Sequence, residues 1–82
     1  MNEIQSLLVN QHEFTANQII DALEKVGKRG DIIIIKNDGL RSSDNYTVVI
    51  SSGSNKFDGI RYDDVNLSNA VKKALKDYAE VI

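Results

Sequence analysis

Four consecutive isoleucines, Ile32-Ile33-Ile34-Ile35, constrain this chain more than any other feature. β-branched side chains are stiff at χ1 and favour an extended backbone. Gly30 precedes the run and Asn37, Asp38 and Gly39 follow it. A short apolar run between turn residues reads as a strand, here Asp31–Lys36. A strand alternates its side chains between two faces. Ile32 and Ile34 point one way, Ile33 and Ile35 the other, and both faces are apolar. Helices on one side of a small sheet leave the other face to be covered by something else.

The rest of the chain sets the frame for that strand. Its 82 residues, 41% hydrophobic and 27% charged, fit one small folded domain over 1–82 and argue against disorder. With no cysteine, disulfides, thiolate chemistry and cysteine-bound zinc are excluded. The net charge of −2 is the balance of neither a nucleic-acid binder nor an acidic nucleic-acid mimic. No apolar stretch approaches the length of a membrane span. Met1-Asn2-Glu3-Ile4 lacks the basic and long apolar segments of a signal peptide, so a cytoplasmic location is expected. The abundance of isoleucine, asparagine and lysine hints at an AT-rich coding genome.

Along the chain, Ile4, Leu7 and Leu8 stand at helical spacing in a segment too short to be stable alone. Residues 1–12 are expected to be a short helix or an arm. Thr15 and Gln18 have capping-box spacing, and Phe14 with Ile19 can staple the helix entrance. A helix over 15–26 follows, with Ile19, Ile20, Leu23 and Val26 on its apolar stripe and Gly27 placed to end it. After the first strand and a polar loop, Tyr46–Ser51 alternates as a second strand, with Tyr46, Val48 and Ile50 on one face. Ser52-Gly53-Ser54-Asn55 is turn chemistry, and Lys56–Tyr62 reads as a third strand weakened by Gly59. Asn66 caps a final helix over 66–81 whose buried stripe is Leu67, Val71, Ala74, Leu75, Tyr78 and Ile82. The expected fold class is α+β: a three-stranded antiparallel β-meander packed with two α-helices, in the order (α)-α-β-β-β-α. A winged-helix module with 37–45 as its wing is the rival. The third strand and the final helix fit it poorly.

Nothing in this sequence assembles a nucleophile, a base and an oxyanion site, so no enzyme and no cofactor is expected. His12 is the single histidine and precedes a helix cap, where a solvated role is favoured. Asp58, Asp63 and Asp64 form the densest acidic cluster, but they lack EF-hand spacing and read as carboxylates near a helix start. Ser52–Lys56 could cradle a phosphate through backbone N–H groups, yet it leads into a strand and lacks the Walker spacing.

The second sheet face carries the remaining signal. Ile33, Ile35, Thr47, Val49, Phe57 and Arg61 would share it, an apolar patch with an aromatic and an arginine such as protein interfaces use. Ile33, Ile35, Val49, Phe57 and Arg61 are therefore the expected partner-binding residues. The loop 37–45, with Asp38, Arg41 and Asp44, is the alternative surface. Two coverings remain open: residues 1–10, or another protein, either a partner or a second copy. The second is preferred, and removing residues 1–10 is then expected to leave the melting temperature nearly unchanged. A competing expectation is nucleic-acid binding through Lys56, Phe57 and Arg61 together with Lys72, Lys73 and Lys76. In size and in lacking a catalytic constellation, the chain resembles small phage or mobile-element proteins that act by binding a host protein. That resemblance implies an inhibitor or adaptor that occludes a surface.

Overall fold

The structure is a computed structural model that describes residues 2–9 and 12–82. Its order is α1 (Glu3–Leu8), α2 (Ala16–Lys28), β1 (Ile32–Asn37), β2 (Tyr46–Ser51), β3 (Ile60–Asp64) and α3 (Leu67–Val81). This is the expected α+β order. Among the described residues the sheet is antiparallel with β2 in the centre, so β1 and β3 are both edges.

Local chemistry explains the helix bounds. Thr15 and Gln18 make the reciprocal capping box that opens α2. Asn2 and Gln5 make the same box for α1, and the Asn66 side chain caps α3. The end of α2 differs from expectation. Gly27 stays helical, and Gly30 takes the left-handed turn at φ +83°. The Gly30 N–H then donates to the Gly27 carbonyl, and the Asp31 N–H to the Val26 carbonyl. That pair of bonds is a Schellman ending, which needs the left-handed residue two positions before the strand rather than inside the helix.

The core lies between the sheet and the helices. Val48, Ile50 and Ile60 meet Val71, Ala74, Leu75 and Tyr78 of α3 and Ala22 and Val26 of α2. α1 packs against α2 and α3, and its Ile4 is fully buried. The segment 1–12 therefore contributes a core helix over Glu3–Leu8, while Met1, Asn10 and Gln11 lie outside the described residues. Residues 3–8 join the helical layer and do not cover the second sheet face.

Two strand assignments shift. Cross-strand partners share a face, and Ile33 pairs with Ile50 and Ile35 with Val48. Ile33 and Ile35 thus point into the core and Ile32 and Ile34 point away from it. The third strand begins at Ile60 instead of Lys56. The Ser52 hydroxyl accepts from the Lys56 N–H, and Asn55 adopts φ +60°, so the turn runs longer. Phe57 leaves the strand path and packs edge-on against Tyr78, ring centroids 5.8 Å apart.

One polar cluster ties these layers together. The buried Tyr78 hydroxyl donates to Asp31 at 2.6 Å, and the Gly53 N–H donates to the other Asp31 oxygen at 3.0 Å. The tyrosine hydrogen bond, ahead of the Gly53 one, holds the Asp31 carboxyl below its ordinary range against a smaller burial effect. Burial, with the Asp31 bond second, pushes the Tyr78 hydroxyl up. Gly53 presses so close to Gly30 that a Cβ there would stand 1.8 Å from the Gly30 carbonyl oxygen.

Candidate interaction surface

On the outer sheet face, β1 contributes Ile32, Ile34 and Lys36, β2 contributes Thr47, Val49 and Ser51, and β3 contributes Arg61 and Asp63. No helix or strand of the described chain packs on it. Ile32 is 51% exposed and Ile34 55%. The register sets Ile34 beside Val49 and Val49 beside Arg61, so an apolar patch grades into a charged one.

The charged end is built around Asp63. Its carboxylate accepts from the Thr47 hydroxyl, from Arg61 at 3.3 Å and from Arg41 at 3.3 Å. These bonds, Thr47 first and then Arg61, lower the Asp63 pKa to about 2. Arg41 arrives from the β1–β2 loop. There the Asp38 side chain accepts from the Leu40 N–H and the Asp38 carbonyl from the Arg41 N–H, forming a tight turn. That turn holds Leu40 at 99% exposure beside an anchored arginine. Asp44 sits at φ +48° where the loop returns to β2. Two guanidiniums are thus pre-positioned at the rim of an apolar patch, each with donors left over for a further acceptor.

The expected partner-binding set divides. Val49 and Arg61 lie on the outer face. Ile33, Ile35 and Phe57 pack against the core instead, because the isoleucine run took the opposite sidedness and Phe57 found Tyr78. Arg41 and Asp38 of the alternative loop belong to the surface, Asp38 through a local turn and Arg41 through Asp63, a contact too distant in sequence for any periodic signal. Ile32, Ile34 and Leu40 were missed. The isoleucine alternation held the first two but could not say which pair faced outward.

The residues expected to grip nucleic acid are not brought together. Phe57 is spent on Tyr78, and Lys73 pairs with Asp64 at 2.8 Å. Lys72 donates to the His12 carbonyl and stands over the Phe14 ring at 5.4 Å. Lys72, Lys73 and Lys76 ride on α3, across the sheet from Arg61. The acidic cluster also separates: Asp63 faces outward, and Asp64 accepts from Lys73 and the Asn66 N–H. Among the described residues no group of three potential ligands gathers to hold a metal. A groove of about 200 Å³ lies between Arg29, Asp31, Ser54, Lys56 and Phe57. It adjoins the turn considered for phosphate, but Asp31 there is already engaged by Tyr78 and Gly53. No helix among the described residues is long and apolar enough to cross a membrane. No protein-family model, curated protein or solved structure matches the chain.

Proposed function

We propose that this chain is a non-enzymatic protein-binding module, an inhibitor or adaptor of the kind mobile elements encode. In this reading it acts in the cytoplasm by seating its outer sheet face on a partner protein and occluding it. One observation carries the reading. Ile32 and Ile34 are more than half exposed on the sheet, beside Val49 and two arginines paired with Asp63. An apolar centre with arginine at its rim is a composition that protein interfaces use, arginine being among the residues enriched there. A protein partner is favoured over nucleic acid because the aromatic ring and two of the lysines that stacking and phosphate contact require are engaged elsewhere.

A photo-reactive amino acid at Val49, compared with one at exposed Lys76, tests this in extract of the producing cells. The expected result is one discrete adduct with a different protein from position 49 alone. Excess wild-type chain should compete it away, and an Ile34→Asp/Arg61→Glu double variant should not. The same adducts from both positions, or none from position 49, would overturn the reading.

A further inference from the structure

The two edges of the sheet are built differently, and only one is defended. Soluble proteins blunt edge strands with charge, proline, bulges or a covering segment. β3 spans five residues, Ile60–Asp64, and carries Arg61, Asp63 and Asp64. β1 is Ile-Ile-Ile-Ile-Lys-Asn, with no proline, an unbroken register and one charge near its end. α2 packs against β1 from the core side, and among the described residues no strand pairs with its outer edge.

Hydrogen bonding shows which groups that edge presents. The Asp38 N–H donates to the Asn45 carbonyl, continuing the β1–β2 register by one step. Bonded and non-bonded pairs alternate in an antiparallel ladder. Ile32, Ile34 and Lys36 therefore bond to β2. The N–H and C=O groups of Ile33, Ile35 and Asn37 point outward from the sheet edge. Their side chains stay in the core side of the sheet, so the edge offers backbone groups framed by apolar residues on both faces.

We propose that two copies of this chain join edge to edge through β1, antiparallel and two-fold symmetric about Ile34. In that register Ile33 of one copy meets Ile35 of the other, and each pair exchanges the outward N–H and C=O groups. Ile34 lies opposite Ile34 on the outer face, and Lys36 lies opposite Ile32, so no like charges face each other. Matching apolar to apolar is what fixes a strand register. The contact is isologous and closes, because the remaining edge of each copy is the charged β3. Pairing leaves the outer face open and joins two copies of it into one surface. It therefore stands or falls independently of what binds that face.

The register puts residue 34 against itself, which gives a charge-swap test. Sedimentation of the wild-type chain over a dilution series should show a monomer–dimer equilibrium. Ile34→Lys and Ile34→Glu variants should each weaken it by about tenfold or more, since like charges then lie directly opposite. An equimolar mixture of the two should recover a dimer. Val65→Lys alters a residue 66% exposed just past β3 and should change nothing. A wild-type chain monomeric at every concentration, charged variants that dimerise normally, or a mixture that stays monomeric would overturn the proposal. Hydrogen exchange of the unmodified chain gives a readout independent of variant folding. The Ile33 and Ile35 amides should be protected at high concentration and exchange faster on dilution, with the Arg61 and Asp63 amides fast throughout. Fast exchange at 33 and 35 at all concentrations would equally overturn it. A Val49 adduct formed by a purely monomeric chain would refute the pairing and leave the partner-binding reading standing. A dimer giving no Val49 adduct would do the reverse.

Discussion

β1 and β3 flank the same central strand and spend their polar groups in opposite ways. β1 keeps its one internal carboxylate, Asp31, at its base, turned inward to Tyr78 and Gly53. The body of the strand beyond it is isoleucine. β3 places its carboxylates along its length: Asp63 gathers two arginines on the outer face, and Asp64 takes Lys73 on the inner one. Charge along an edge repels a further strand, whereas charge confined to the base leaves the edge open to one. The position of a carboxylate thus reveals more about an edge than the number of carboxylates does.

The largest expected effect strikes the base of β1. A methyl group at Gly53 has no room against the Gly30 carbonyl, and the atom it meets is backbone. Gly53→Ala should cost about 3 kcal/mol or more in stability, by overpacking and by losing the Asp31 contact. Chemical denaturation would measure it, and a loss under half that size would mean β1 is not anchored through this turn.

Next comes the helix that leaves the β1 edge uncovered. Ile4 of α1 is fully buried, and α1 packs against α2 and α3. Ile4→Ala should lose about 2–5 kcal/mol. For a domain of this size that lowers Tm by roughly 10 °C or more. Deleting residues 1–9 should be at least as harmful, contrary to the near-neutral truncation expected from sequence. An unchanged Tm would move α1 off the helices and make it available to cover β1.

Tyr78→Phe keeps the ring against Phe57 and removes only the hydroxyl. Asp31 would retain the Gly53 N–H alone, at a cost of about 2 kcal/mol, as for hydrogen bonds to a charged group. Tyr62→Phe, which removes a hydroxyl donated to Asp77 at a less buried site, should cost less. Equal losses would remove the distinction between the internal anchor and the surface bond.

The smallest effect is read against pH on the β3 side. The Asp63 carboxyl titrates at about 2 in the folded chain, against an ordinary value of 3.8. The unfolded chain therefore takes up this proton first as pH falls. The stabilisation from Asp63 is whole above roughly pH 5 and is lost progressively as pH drops towards 2. In denaturant midpoints compared across that window, Asp63→Asn should lower the plateau and flatten the acid limb. An acid limb as steep as wild type would assign it to Asp31 and Asp64, which are shifted in the same direction.

What the sequence disclosed was what short-range chemistry decides. Thr15 and Gln18 announce α2 because both partners of the capping box lie within one turn. Tyr46, Val48 and Ile50 disclose their face because the other face carries the polar Thr47 and Ser51 beside Val49. The isoleucine run disclosed a strand but not its sidedness, since exchanging its two faces changes nothing in the pattern. Phe57 misled for a related reason: it extends a plausible strand, and only Tyr78, far along the chain, draws it inward. The Arg41–Asp63 pair and the Gly30–Gly53 approach each join residues more than twenty positions apart, with no local mark on either partner.

The hydrogen bond between Tyr78 and Asp31 spans 47 residues. During synthesis the isoleucine strand leaves the ribosome well before the tyrosine that secures its base. Until residue 78 emerges, β1 lacks a complete anchor; α2, already made, can cover its inner face, but its outer apolar face stays wet. A nascent chain in that interval exposes the sticky segment for as long as translation takes to cover the distance. Slowing elongation after β1 has cleared the ribosome should therefore raise the insoluble fraction without altering the sequence of the finished protein.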